Sequence, residues 1–463
     1  MRVSRRPRRV EIKTYMTIPV EVAEFLSTMR ARRAATQRRN NRKRVFQKVR
    51  QAQLSQLRFG DHSRVVRMLA DAYRPEVKLN RRDPMIVVPE VFSIIDDPVA
   101  ALHLLLSFAK VARQNKVRRL KIDQGAMVKF DLAANTVLGI IATELRTEAK
   151  QRKTAIFFSG RFPQPLAAQR FVRSVGIVKQ LDVANQVVAE HEQKNLRIFD
   201  KRNHNYRESE DPTKADFKSR SCTQFVEHFN ECLHDPGREL TRESVQQLGA
   251  YITEILGNAE DHPGFRDWTV QGYLDNSLDV PTCEIAIVNF GWSIAETMKK
   301  AGKYTWDQIS RFVLTHRGSK FFGSGWRERD LLTVIALQEH VSSKNRDAMD
   351  SRGQGTVEFI EFFQKVCAEC SPDSPVKARM AILSGSTHIL FDGKYKLQGR
   401  GNDQHGKVIA FNASNSLYLK PDPNYVRSLG SLTFPGTIIS IRFPLGTRST
   451  VALGEKPNGP FRD

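Results

Sequence analysis

Residues 85–185 alternate short apolar runs with longer segments of helical periodicity, and this alternation limits the fold more than any other feature of the chain. "MIVVPE", "VRRLKID" and "TAIFFSG" read as strands, while "DPVAALHLLLSFAKVARQ", "LAANTVLGIIATELRTEAK" and "PLAAQRFVRSVG" read as helices. Asp97 suits the N-cap of the first helix with Pro98 at its first position, and Gly176 closes the third. A βαβαβα order predicts a mainly parallel sheet covered by helices.

A different order follows. Residues 221–450 begin with long helical patterns through His262 and continue with strands near "WTVQGYL" and "CEIAIVNFG". They then carry the helix "TVEFIEFFQKVCAE" and close with "MAILSGS", "THILFDG" and "GTIISIRFPL". Helices followed by antiparallel-looking strands predict a two-layer α+β sandwich. Residues 186–220 are polar and read as a connector with one short strand; 1–80 read as a basic arm and 451–463 as a tail. The expected fold class is therefore α/β plus α+β behind a basic N-terminal arm.

The charge is uneven. Of the net +23 over 463 residues, residues 1–60 hold +14 (17 Arg/Lys against 3 Glu), leaving +9 for the rest. A run such as "RRNNRKRVFQKVR" suits phosphates, so nucleic acid or another polyanion is a candidate partner whose affinity would fall with salt. A solvated basic linker is the alternative, and the arm's few aromatics give little support for base stacking. Hydrophobic residues at 40% predict a packed core. No run approaches the ~20 apolar residues of a membrane span, and no apolar segment follows the basic N-terminus as a secretory signal requires. Five cysteines, an odd number, argue for a reducing, cytoplasmic setting without a disulfide framework. Cys367-x-x-Cys370 has no second pair and reads as two reduced thiols rather than a zinc site.

Chemistry concentrates in the third region. In "ITEILGNAEDHPG", residues 252–264, Glu254, Asn258 and His262 recur every four residues, with Asp261 beside the last. On a helix they share one face, and Ile252, Ile255, Leu256 and Ala259 supply an apolar one. Such a polar face is either solvated or wrapped around a polar ligand. "CEIAIV" runs into "NFGWSI", placing Asn289 at a strand end and Gly291 where backbone can approach closely. "SRGQGTVEFIEFF" sets Gly353 and Gly355 before a helix, where free N–H groups and the helix dipole favour phosphate. Gly436-Thr437 lead an alternating strand.

In order and spacing these pieces resemble the GHKL ATPase superfamily, which includes gyrase B, heat-shock chaperone, MutL and histidine-kinase domains with a Bergerat-type sandwich. The likeness spans roughly residues 221–445. The family's E-x-x-x-N-A-x-D/H box matches Glu254, Asn258, Ala259, Asp261 and His262. The resemblance implies ATP and Mg²⁺ as cofactors. Asn258 would hold the metal, Glu254 would polarise the attacking water, and His262 would approach the phosphates. The next box, D-x-G-x-G, reads Asn289-Phe290-Gly291-Trp292-Ser293, departing at two positions. Asn289 keeps an acceptor oxygen for an adenine amine but is uncharged, and Ser293 narrows the room near the base. Gly353, Gly355 and Thr356 resemble the later glycine box, and Thr437 the strand threonine that reaches adenine. Segment 315–352 would be the lid, with Lys344 and Arg346 placed to meet phosphate oxygens.

Residues 85–185 resemble a STAS-type domain, the fold of anti-sigma-factor antagonists, with a strand ending at Asp123 and a helix beginning near Asp131. Signalling members carry a phosphorylatable Ser or Thr at that helix start; here Leu132, Ala133 and Ala134 stand there. The combination implies a bacterial, cytoplasmic, ATP-hydrolysing switch. Nucleotide would change contacts to a protein partner or to a second copy in a homodimer. A serine- or histidine-type protein kinase using the same site is one alternative. A non-catalytic nucleotide-binding scaffold whose arm contacts nucleic acid is another.

Overall fold

Asp97 does cap its helix: its carboxylate accepts from the Ala100 N–H at 3.0 Å, and Pro98 occupies the first turn. The computed structural model describes residues 64–73, 84–113, 119–151, 156–181, 196–204, 217–234, 237–261, 267–275, 281–317, 327–339, 341–343, 354–369, 376–399, 407–444 and 450–452. Two compact units divide the chain, Met1–Asp61 and His62–Asp463, and all described residues belong to the second. Of the basic arm read over residues 1–80, the part up to 61 lies outside the described residues, whereas Arg64–Ala72 is not arm but a helix whose Val65, Val66 and Leu69 are buried in the core.

The first region runs α1 (Arg64–Ala72), β1 (Met85–Val87), β2 (Val91–Phe92), α2 (Pro98–Ala112), β3 (Arg119–Asp123), β4 (Lys129–Phe130), α3 (Leu132–Gln151), β5 (Phe157–Arg161), α4 (Leu166–Ser174) and α5 (Ile177–Gln180). Strands β1, β3 and β5 form a parallel sheet in that order, and β2 and β4 a short parallel pair. The alternating rhythm of the sequence therefore produces the parallel pairing it implies.

The remainder supplies β6 (Leu196–His204), α6 (Phe217–His234), β7 (Arg238–Leu240), α7 (Arg242–Asp261), β8 (Asp267–Asp275), β9 (Thr282–Phe290), α8 (Ile294–Met298), α9 (Lys303–Arg317), α10 (Glu328–Ile335) and α11 (Gln354–Glu369). After them come β10 (Arg379–Gly385), β11 (Thr387–Phe391), β12 (Gln398–Gly399), β13 (Lys407–Val408), β14 (Val426–Ser428), β15 (Phe434–Pro444) and β16 (Thr450–Ala452). Seven strands make one antiparallel sheet, ordered β14-β11-β10-β15-β9-β8-β6. The protein is a mixed α/β structure with both parallel and antiparallel sheets. Among the described residues no helix is long and apolar enough to cross a membrane.

Both faces of the large sheet are covered. Alternate residues of β9 (Cys283, Ile285, Ile287) join Phe225 and Phe229 of α6, Ile252, Ile255 and Leu256 of α7 and Ile360 and Phe363 of α11 in one apolar core. The intervening residues (Ala286, Val288, Phe290) pack instead with α1, α2 and α3 of the first region. The sheet is therefore the middle layer between helices and the α/β region, a deeper stack than the two layers predicted for residues 221–450 alone. Double coverage explains why β8 is buried at all nine positions instead of alternating.

The face toward the first region is laced with charge. Glu284 accepts from Arg442 Nε at 2.7 Å and from the Leu132 N–H at 2.8 Å, stoppering the start of α3. Asp131, fully buried, accepts from Ser93 Oγ (2.7 Å) and from the Ala134 and Ile95 N–H groups. Burial pushes the Asp131 and Glu284 carboxyls up, while Arg442 opposes the rise. Arg379 pairs with Asp96, Arg202 with Glu144, and Arg64 with Asp267. The buried His388 ring shares a 2.9 Å hydrogen bond through Nε2 with the Ile94 carbonyl. Burial, with Arg427 and Arg379 nearby, pulls its pKa down to about 3. The segment read as a connector contributes more than a short strand: β6 is nine residues long and forms an edge of the sheet.

Candidate functional site

The "ITEILGNAEDHPG" segment is helical through residue 261, as α7. Thr241 Oγ1 accepts from the Ser244 N–H at the start of the helix, and Pro263-Gly264 follow its end, where neither residue sustains a helix. The apolar stripe Leu248, Ile252, Ile255 and Leu256 is buried on the sheet, whereas Glu254 is exposed. Asn258 lies one turn beyond Glu254, and Asp261 is the last helical residue. His262 falls outside the described residues, as do Lys344, Arg346 and Gly353.

Helix α11 lies against α7, with the Tyr251 and Phe362 rings 4.5 Å apart. Burial, then the carboxylates of Glu358, Glu361 and Glu243, push the Tyr251 phenol up. Gly355 and Thr356 stand in the first turn of α11, and Thr356 is half-buried. Both helices pack on the same sheet face, on which Asn289 and Thr437 also lie, since these residues alternate with Val288, Phe290 and Ile438 of the opposite core.

Asn289 sits near the end of β9, half-buried, in register with Trp268 of β8 on one side and Thr437 of β15 on the other. Thr437 Oγ1 shares a 2.8 Å hydrogen bond with Ser384 Oγ of β10, which also accepts from the Ile294 N–H at 2.8 Å. Ser384 was not singled out from the sequence; its signal is a polar residue closing the apolar run "MAIL" before Gly385.

Three glycines mark this end of three neighbouring strands: Gly291 (φ +134°), Gly385 (φ +60°) and Gly436 (φ +137°). These are left-handed values that side-chain-bearing residues rarely adopt. A Cβ on Gly436 would come within 2.0 Å of the Asn289 carbonyl oxygen, and one on Gly385 within 3.0 Å of Ser293 Cβ. The Gly291 N–H in turn donates to the Pro435 carbonyl at 3.0 Å. The backbone of these strands thus comes close together at this end of the sheet.

Ser293 is buried and caps α8: its Oγ accepts from the Glu296 N–H, and the Glu296 carboxylate accepts from both the Ser293 N–H and Oγ. Trp292 is half-buried, with the Lys300 ammonium over its ring. The stretch read as a lid contains a packed element. Leu331, Leu332 and Val334 of α10 are buried, and Asp330 accepts from Thr387 Oγ1 at 2.6 Å. The amphipathic run "ERDLLTVI" anchors it to the sheet edge.

The donor set at the strand ends, one amide and two hydroxyls, is uncharged and suits a neutral hydrogen-bonding ring better than a metal. Among the described residues no three His, Cys, Asp or Glu side chains are grouped to hold a metal. A cation here would depend on phosphate oxygens and an amide such as that of Asn258. Cys222, Cys232 and Cys283 are buried, Cys367 is half-buried, and Cys370 lies outside the described residues. In comparisons with known proteins, no family model, no curated protein and no solved structure matches this chain.

Proposed function

We propose that the chain binds ATP with Mg²⁺ in a Bergerat-type site and hydrolyses it as a nucleotide-driven switch, with a STAS-like module docked on the back of the same sheet. One observation carries this reading. Helices α7 and α11 lie side by side on the sheet face where Asn289, Thr437 and Ser384 meet at a glycine-lined edge. The base would rest at the strand ends, with Asn289 accepting from its amine and the Thr437–Ser384 hydroxyl pair serving a ring nitrogen. Asn258 would lend an oxygen to the metal, and the first turn of α11 would face phosphate. Glu254, exposed on α7, would orient the water.

The parallel β1-β3-β5 sheet backed by α2 and α3 supports the STAS-like module. Leu132, Ala133 and Ala134 are buried at the start of α3, which gives no support to a phosphorylation switch there. Two observations favour the non-catalytic reading: the Ser293 hydroxyl is engaged in its own capping box, and Asn289 carries no charge for the base amine.

A thermal-shift titration with a non-hydrolysable ATP analogue, with and without Mg²⁺, tests the proposal. The full chain should be stabilised by the pair, and Asn258→Ala should abolish the Mg²⁺-dependent part. Glu254→Ala should keep the shift and lose phosphate release. Binding without phosphate release in the unaltered chain selects the scaffold, labelled phosphate appearing on a protein selects a kinase, and no shift at all rejects the site.

A further inference from the structure

Parallel sheets are ordinarily covered on both faces. Among the described residues, nothing covers the second face of the β1-β3-β5 sheet. Its inward residues, Ile86, Leu120 and Ile122, are buried in the core shared with α2 and α3. Its outward residues stand in solvent: Met85 is 47% exposed, Val87 54% and Phe157 65%. Only eight large apolar side chains are so exposed among the described residues, and three of them share this small face. Interleaved with them are Arg119 and Lys121, both exposed, and Arg161.

The register fixes their neighbours. Arg119 lies beside Phe157, and Lys121 lies between Met85 and Ser159. Arg161 lies beside Asp123 and is bonded to it at 2.9 Å, so that pair is neutral and the excess positive charge belongs to Arg119 and Lys121. Adjacent strands are about 4.8 Å apart, so an exposed ring and a guanidinium stand side by side on a flat floor. An aromatic ring offers a face to any base, and neighbouring cations take the phosphates; open sheet faces built this way accept unpaired strands. A double helix would find no element here that enters a groove. The positive charge disfavours a basic or neutral protein surface, and the patch is small for a stable protein interface.

We infer that the outward face of the β1-β3-β5 sheet binds single-stranded nucleic acid, stacking a base on Phe157 and holding phosphates with Arg119 and Lys121. This site uses no residue of segment 1–60 and none of the proposed nucleotide site, and it is inferred independently of either.

The test uses the full-length chain with Arg38, Arg39, Arg42, Lys43 and Arg44 changed to Gln, which lowers binding by the arm's densest basic cluster. Anisotropy of a labelled oligothymidylate is read across a salt series. Phe157→Ala should weaken binding about tenfold. Arg119→Gln with Lys121→Gln should lower the slope of log affinity against log salt by about 1.4. All these side chains are exposed, so the variants should melt with the parent. The inference is overturned if binding is absent or is unchanged in both variants. It is also overturned if Phe157→Ala instead abolishes self-association in sedimentation, or if polyglutamate competes as well as the oligonucleotide does.

Discussion

The two faces of the seven-stranded sheet are held by different forces. Toward α6, α7 and α11 the contact is almost wholly apolar, built from side chains such as Phe225, Ile255, Ile285 and Phe363. Toward the first region the apolar core is crossed by Glu284–Arg442, Arg202–Glu144, Arg64–Asp267 and Arg379–Asp96. Apolar contact is non-directional, so the helical face can repack with little loss. Buried ion pairs return little net stability but penalise any arrangement that separates them. The ionic face therefore specifies one docking position, while the apolar face, where the proposed nucleotide would sit, is the one able to adjust.

The sharpest way to break this contrast is truncation followed by repair. Arg442→Ala should cost about 3–5 kcal/mol in urea unfolding by leaving Glu284 buried without its cation. Phe363→Ala should cost a similar ~3–5 kcal/mol through a cavity. Replacing the ion pair by Glu284→Leu with Arg442→Met should recover part of the first loss. Recovery stays partial because the Leu132 N–H and the Phe130 carbonyl also lose their partners. If the double variant is no more stable than Arg442→Ala, the ionic face contributes stability and not only position.

Next in size is Gly436→Ala, which forces a Cβ into a backbone oxygen at φ +137°. It should cost about 3 kcal/mol and remove any nucleotide-induced thermal shift. The acid response of the ionic face comes third. His388 has a folded pKa of about 3 against an ordinary 6.5, so the unfolded chain binds the proton first. Its contribution is intact above pH 6.5 and is lost progressively as pH falls from 6.5 toward 3. Between pH 7 and 5 this amounts to about 2 kcal/mol, and His388→Gln should flatten the stability–pH curve by that amount. The smallest effect is expected from Ile255→Val on the apolar face, about 1 kcal/mol and independent of pH.

Much of this was readable from residue order. Asp97-Pro98 set a helix start, the apolar runs between 85 and 161 set a parallel sheet, and the four-residue spacing of Glu254 and Asn258 set the helical reading of α7. What escaped was burial on the second face. "CEIAIVNF" is nearly continuously apolar, the pattern of a strand covered twice, yet nothing local says by what, and "WTVQGYL" alternates polar Thr269 and Gln271 with apolar neighbours although both are buried. The strand "LRIFDKRNH" looked like connector because of its charges, but Arg202 meets Glu144 across the layer and Asp267 on the neighbouring strand β8. Ser384 escaped because its partners, Thr437 and Ile294, are 53 and 90 residues away.

Strand β15 sits between β9 and β10 at the middle of the sheet, although the chain reaches it only at residue 434. During synthesis the flanking strands emerge first, and each presents an edge of unpaired backbone N–H and C=O groups until this late strand pairs between them. A nascent chain stalled or clipped before that point would carry two sticky half-sheets, each a template for pairing with the wrong neighbour.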